Sequence, residues 1–521
     1  VIEVFHVIVS ITPEIGIDEV PIYAGGLGIL EGDKFLEASK LGLEYTVLTL
    51  FYRRGYVYYK PDPQKGYVQE ERDFSYLLEK LKREDPLETF FSNIRIVATP
   101  YLFERNSAKI VYFYVEKPDE IARKVEKLYI EEDPGILELK YSLLAKLSLE
   151  YMDKRIGFEK IDVVDMQESL ASLISIILPH WIRRRLVIHT PGPWGHPRFS
   201  HETLAREFGY IDGETILTKI SASRSEKVFT VSEKHYRVTR ATFPEFESKL
   251  DYVTNGVSLD RWMHPRIREF VSKGSLDKED FWRIHIENKK DLLNLLRNYK
   301  GDIDSDISKP IIAWVRRLTR YKRPYFMIRL IEDTVSSDEV IFVLGGKAHP
   351  RDLEGFGYMK IFKELHEEYK NVVYLHDYDA EKAKIILSGS DLLLFTPFPG
   401  WEASGTSFMK AGVNGVPTLA SRDGAALEII RDGFNGWFFG SDIDYPIDLY
   451  SSSASEIDQR DYKDLYERYK EIVSLYYNNK DQYINIMINT LETFRREADI
   501  NRVIREYYSE FIKKKRELTR N

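Results

Sequence analysis

An apolar run, Asp391-Leu-Leu-Leu-Phe-Thr396, lies between Gly389 and the pair Pro397 and Pro399, and reads as a strand over Asp391 to Phe395. A strand that is apolar at every position has both faces covered, and that occurs in parallel sheets flanked by helices. The pattern recurs along the chain. Val1 to Ile11, Glu44 to Phe51, Val163 to Met166, Leu186 to Thr190 and Val228 to Val231 read as strands in the first half. Pro310 to Val315, Val340 to Leu344, Asn371 to Leu375 and Pro417 to Ala420 do so in the second. Helical stretches alternate with them, among them Glu31 to Leu41, Leu137 to Tyr151 and Phe281 to Tyr299. This alternation predicts an α/β protein of two doubly wound, Rossmann-like domains facing a cleft. The first is expected over residues 1–256 and the second over 257–484. Asp458 to Tyr477 and Gln482 to Lys515 carry the apolar stripes of long helices, and the last, about 485–521, is expected to pack back on the first domain.

Composition narrows the function. Lys and Arg number 75 against 83 Asp and Glu, a net charge of −8. This argues against a nucleic-acid binder relying on bulk charge, and a neutral polymer or a small molecule suits better. The basic run Lys513-Lys-Lys-Arg516 ends a helix, where cations suit the dipole. No cysteine is present, so disulfides and cysteine metal sites are excluded. No apolar run is long enough for a membrane span and no signal peptide is recognisable, so a cytoplasmic location is the expectation. The absence of Cys, 7 Met and many charged residues lean toward a thermophile.

The chemistry gathers at strand ends. After the Leu392 strand comes WEASGTSFMKAGVNGVPTLASRDGAALE, residues 401–428. Ser407 to Asn414 reads as a helix, so Ser404, Gly405, Thr406 and Ser407 occupy a strand-to-helix turn. The first N–H groups of such a helix are unpaired and favour an anion. Glu402 stands at the rim and Lys410 one turn in. Trp314 to Arg323, WVRRLTRYKR, packs five cations into another such turn, where Arg317 and Lys322 suit a phosphate. Gly25 and Gly26 precede a helix in a strand–glycine loop–helix–strand unit and let backbone approach a ligand. His189, Asn255 and the GGKAHP stretch end further strands.

Taken together, PIYAGGLGILEGD, YRRGY, HTPGPWGH, VTNGV with Trp262, RRLTRYKR, GGKAHP and EASGTSFMKAGVNG with DGAALE run in order from residue 21 to 428. In them the chain resembles the α-glucan (glycogen or maltodextrin) phosphorylases of the shorter prokaryotic kind. The resemblance implies the GT-B arrangement and pyridoxal 5'-phosphate. It implies retaining phosphorolysis of an α-1,4-glucan by inorganic phosphate to glucose 1-phosphate, reversible in the synthetic direction. Lys410 would hold the cofactor as a Schiff base. Thr406, Ser407 and Arg316 would hold the cofactor phosphate, and Tyr378 and Trp262 would wall the cofactor. Arg317 and Lys322 would hold substrate phosphate, with the backbone of Gly26 at these phosphates and Gly25 beside the substrate. Glu402 and Gly405 would bind glucose hydroxyls, and Asn255 and His189 the sugar's far edge, the His189 carbonyl supporting positive charge on the sugar. The cofactor phosphate is expected to relay a proton, so that neither a glycosidase carboxylate pair nor a metal is needed.

The chain departs from the family where a histidine-bearing stretch is replaced by Val163-Val-Asp-Met-Gln-Glu-Ser-Leu170. The length also implies that the regulatory region of the animal enzymes, with its phosphorylation switch and AMP site, is absent. No nucleic-acid or membrane partner is expected; a homo-oligomer is left open. Two alternatives stand beside the phosphorylase. A glucan synthase using a nucleotide sugar usually carries a Lys just before the glycine pair, where this chain has Tyr23-Ala24. A non-catalytic glucan-binding protein would have no use for Lys410, Arg317 and Lys322 together.

Overall fold

The computed structural model describes residues 7–274 and 277–518, with side chains described as far as residue 513. The expected start of the first strand, residues 1–6, and the side chains of the basic run from residue 514 on lie outside the described residues. The chain forms two compact units. One comprises residues 1–56, 71–254 and 500–521, the other 57–70 and 255–499.

The first unit is built on a sheet whose parallel strands lie in the order Ala108–Lys117, Tyr45–Leu50, Val7–Ile11, Ile161–Gln167, Arg184–Val187, Lys227–Thr230 and Leu250–Tyr252. Ile94–Arg105 adds an antiparallel edge and carries Lys82–Arg83 and Leu87–Phe91. In Val7–Ile11 and Tyr45–Leu50 nearly every residue is buried, the few polar ones (Ser10, Thr46 and Thr49) included. The helix Gly26–Lys40 begins on the glycine pair itself, five residues before the expected Glu31, with Gly25 as an extended N-cap. Residues 500–518 form a helix of this unit: Tyr508 donates from its hydroxyl to Asp165 at 2.6 Å, and Arg185 donates to the Tyr507 carbonyl at 3.0 Å.

The second unit holds a parallel sheet in the order Val372–Leu375, Ile341–Gly345, Ile311–Val315, Leu392–Phe395, Thr418–Ser421 and Trp437–Phe439. In chain order this is 3-2-1-4-5-6, the doubly wound arrangement, with its switch point between Ile311–Val315 and Leu392–Phe395. Asp391 anchors that point. Buried, it accepts from His285 Nε2 at 2.9 Å, Lys289 Nζ at 2.7 Å and the Ile311 amide at 2.7 Å, tying the helix Lys278–Arg297 under the sheet.

Three features differ from the sequence reading. The hairpin Tyr58–Asp62 with Gly66–Glu70 belongs to the second unit. So does the helix Lys480–Glu497, so the segment returning to the first unit starts at Ile500 rather than near 485. The final helix is broken because Ala498 leaves helical geometry and its carbonyl accepts from the Val257 amide at 2.8 Å. Gly256 lies against that break, where an added Cβ would meet the Ala498 carbonyl at 2.9 Å.

Candidate active site

In parallel sheets ligands bind beyond the carboxyl ends of the strands at the switch point. In the second unit Ile311–Val315 delivers Arg316 and Arg317 there, and Leu392–Phe395 delivers residues 397–406. Arg316 is buried and Arg317 exposed. The Glu402 carboxylate joins the two turns: it accepts from Arg316 Nη2 at 2.6 Å and from Lys322 Nζ at 2.9 Å. Burial acts to raise the Glu402 carboxyl, but Lys322 and Arg316 hold it below its usual range. Burial, then Arg316, pushes Lys322 down to about 7 against the pull of Glu402. The Arg316 guanidinium lies 4.3 Å from the centre of the Phe395 ring, and its Nε and Nη1 find no acceptor among the described residues. Buried N–H donors of a cation left without acceptors are costly, and an anion satisfies them.

The turn is fixed from behind. Asp423 accepts the amides of Gly400 (3.0 Å), Trp401 (3.1 Å) and Glu402 (2.7 Å). Gly424, at φ +59°, packs on the Ser404 carbonyl, and the Ala425 amide donates to it at 3.1 Å. Gly405 sits at φ +72°, where a Cβ would come 2.4 Å from the Phe395 ring, so only glycine fits. Thr406 and Ser407 open the short helix Ser407–Gly412, which has no side-chain cap. Lys410 Nζ lies 4.0 Å from the centre of the Trp262 ring. Asn414 secures the pair by donating to the carbonyls of Trp262 and Lys410, each at 2.8 Å. The Tyr378 ring packs on Gly345, where a Cβ would lie 3.2 Å from it. Asn255 is buried past the strand Leu250–Tyr252.

Gly25, Gly26 and His189 belong to the first unit. A Cβ on Gly25 or Gly26 would meet nothing within 4 Å. Glu14 accepts the amides of Ala24 (2.6 Å) and Gly25 (3.3 Å), holding the loop. His189 follows the strand Arg184–Val187. Its Nε2 bonds Gln167 Oε1 at 2.9 Å, and its amide donates to Glu168 at 2.8 Å. Burial, with Lys34 and His235 behind it, holds the imidazole well below its usual range. Glu168 takes a left-handed backbone, φ +72°, and burial pushes its carboxyl up to about 8.

Asp423, Glu14, Gln167 and Glu168 were not among the expected site residues. Asp423 stands in the quoted 401–428 stretch, but a carboxylate that ties backbone has no sequence signature of its own. Gln167 and Glu168 lie in the stretch that departs from the family, and polar residues closing a buried strand were the available signal.

Fold and turn geometry together define an α/β protein with an anion-demanding site at a strand switch point. Comparison with known proteins relates that class to a family. The carbohydrate phosphorylase family model matches residues 266–521. The maltodextrin phosphorylase of Thermococcus litoralis is 25% identical over 97% of this chain and 70% of its own length. The glycogen phosphorylase of Aquifex aeolicus is 24% identical over 97% and 86%. That of Mycobacterium tuberculosis is 23% identical over 96% and 70%. Over residues 266–521 the chain is thus similar to the carbohydrate phosphorylases, a family of glycosyltransferases, and over nearly all its length to maltodextrin and glycogen phosphorylases. Among the described residues no helix is long and apolar enough to cross a membrane.

Proposed function

We propose that the chain is an α-1,4-glucan phosphorylase that uses pyridoxal 5'-phosphate and inorganic phosphate. One observation carries the reading: the buried Arg316 and Lys322 share a single carboxylate, Glu402, while two Arg316 donors find no acceptor among the described residues. Such a site wants anions, and the phosphates of cofactor and substrate supply them. Lys410, seated on Trp262, would hold the cofactor. Arg316, Thr406 and Ser407 would take its phosphate, with Tyr378 and Trp262 as walls. When bound, the cofactor would supply a phosphate group able to exchange a proton with the reacting phosphate. Arg317 and Lys322 would clamp the reacting phosphate against the sugar, where its charge steadies the positive sugar of a retaining reaction. Lys322, poised near 7, can take a proton as the anion enters. Gly25 and Gly26, open to backbone approach, would border the substrate, and Glu402, Gly405, Asn255 and His189 would meet its hydroxyls.

The test is release of glucose 1-phosphate from maltodextrin with phosphate present and omitted. Phosphate-dependent release is expected. Glucan synthesis from a nucleotide sugar, with no phosphate dependence, would overturn the proposal.

A further inference from the structure

A line of buried polar residues runs through the first unit to His189. Lys34 Nζ donates to Glu31 Oε1 at 2.7 Å. Ser10 Oγ donates to Glu31 Oε2 at 3.0 Å. Gln167 Nε2 donates to Ser10 Oγ at 3.1 Å, and Gln167 Oε1 meets His189 Nε2 at 2.9 Å. Ser10, Glu31 and Gln167 are each 0% exposed and Lys34 2%. Three elements meet here: the helix Gly26–Lys40 and the adjacent strands Val7–Ile11 and Ile161–Gln167, which form the switch point of this sheet.

The direction of the line follows from the chemistry of its members. A carboxylate only accepts, and Glu31 is paired with an ammonium. The single Ser10 proton therefore goes to Glu31, and Ser10 Oγ has only acceptance left for Gln167. That fixes the amide: turned over, its oxygen would face a hydroxyl whose proton is already given, leaving two buried acceptors in contact. With the amide fixed, its oxygen faces His189, and Nε2 must carry the proton. The reversed order would need Glu31 to donate, which the Lys34 charge beside it opposes.

We propose that Lys34, Glu31, Ser10 and Gln167 are positioning residues forming a one-way hydrogen-bond line that holds His189 in the Nε2-protonated tautomer, with Nδ1 left as an acceptor for a donating sugar hydroxyl. The sugar part rests on the reading that His189 meets the substrate; the tautomer part does not. Burial and the nearby Lys34 keep the ring neutral, so the tautomer is the state left to set. A neutral histidine offers one donor and one acceptor, and the partner at one nitrogen decides which is which. The line thus makes His189 read a hydroxyl proton and reject an analogue that lacks it.

The experiment is nitrogen NMR of the holoenzyme labelled in histidine, with His189 assigned by its loss in His189→Asn. The wild type should show a protonated Nε2 and a bare Nδ1, with no second tautomer. Ser10→Ala removes the acceptor that fixes Gln167 and should give mixed tautomers. Ser10→Thr keeps the hydroxyl and should restore the wild-type pattern. In kinetics, the preference for glucose 1-phosphate over its 6-deoxy analogue should fall about 3- to 10-fold in Ser10→Ala, the span of one ordinary hydrogen bond, and return in Ser10→Thr. A wild-type His189 protonated at Nδ1, measured without any variant, overturns the line. So does an unchanged single tautomer in Ser10→Ala. A shifted tautomer with an unchanged analogue preference leaves the line standing and overturns the reading that His189 accepts from the hydroxyl tested.

Discussion

Glu402 binds the two cations that the anion site depends on, and Glu402→Gln removes its charge while keeping its size. Its partners lie at 2.6 Å (Arg316) and 2.9 Å (Lys322), all three largely buried. A charge-assisted bond of this kind contributes about 1.5–3 kcal/mol. At about 1.4 kcal/mol per pKa unit this lowers Lys322 by about one to two units, from about 7 toward about 5–6. The sign follows. Lys322 binds the anion as an ammonium, so affinity is full below its pKa and falls as pH rises through it. Sulfate is the probe, because its charge stays constant over the range while that of phosphate does not. Titration calorimetry of sulfate from about pH 5 to 9 should show wild-type affinity declining above about 7. In Glu402→Gln the decline should begin one to two units lower, with tighter binding on the acid side, where the competing carboxylate is gone. Coincident midpoints in the two proteins, or sulfate affinity independent of pH, would refute the reasoning.

Lys410→Ala should abolish covalent retention of pyridoxal phosphate after borohydride and abolish phosphorolysis with circular dichroism unchanged; a retained adduct counts against the assignment. Glu168, raised to about 8 by burial, makes the fold bind a proton that the unfolded chain releases near its ordinary value of about 4.3. Its contribution is present at acid pH and lost as pH rises through about 8, so Glu168→Gln should gain thermal stability relative to wild type at pH 9 and none at pH 4; a pH-independent difference refutes this. Asp391→Asn strips the buried Lys289 of its carboxylate, leaving the Lys309 carbonyl and the Tyr476 hydroxyl, and should cost about 3–5 kcal/mol in denaturant unfolding of the second unit. Asp391 is held below its usual range against burial by Lys289 and His285, so its contribution is present above about 3.9 and lost as pH falls through the lowered value. A loss under about 1 kcal/mol at neutral pH would place the weight elsewhere.

The sequence made the parallel strands legible because burial on both faces leaves no polar position, as Leu392–Phe395 and Ile341–Gly345 show. It also made the turn after Leu392 legible, since Gly405 and the small hydroxyl residues suit only a turn. Trp437–Phe439 escaped notice because three residues are too short for any period. The hairpin at residues 58–70 escaped because Lys60, Pro61, Asp62, Pro63, Gln64 and Lys65 read as loop. The break at Ala498 is not coded by a breaker residue; a contact with Val257, 241 positions away, makes it. Glu402 was read as a partner for sugar, and its hold on Arg316 and Lys322 came from geometry that spacing does not carry. The roles of Ser10 and Glu31 were hidden in the same way, each an ordinary residue until a strand and a helix are packed together.

The helix Ile500–Leu518 has a consequence for biosynthesis. Domains emerging from the ribosome tend to fold in the order they are made. Here the unit that starts first finishes last, because Tyr508 and the Tyr507 carbonyl reach Asp165 and Arg185 only after residues 255–499 have been translated. The second unit can be completed by Asp499, except that it also needs residues 57–70 to be handed over from within the first. A nascent chain halted near Asp499 would therefore carry a finished second unit beside a first unit whose buried Asp165–Arg185 pair still lacks Tyr508. Truncation before Ile500 would thus strike the first unit rather than the second.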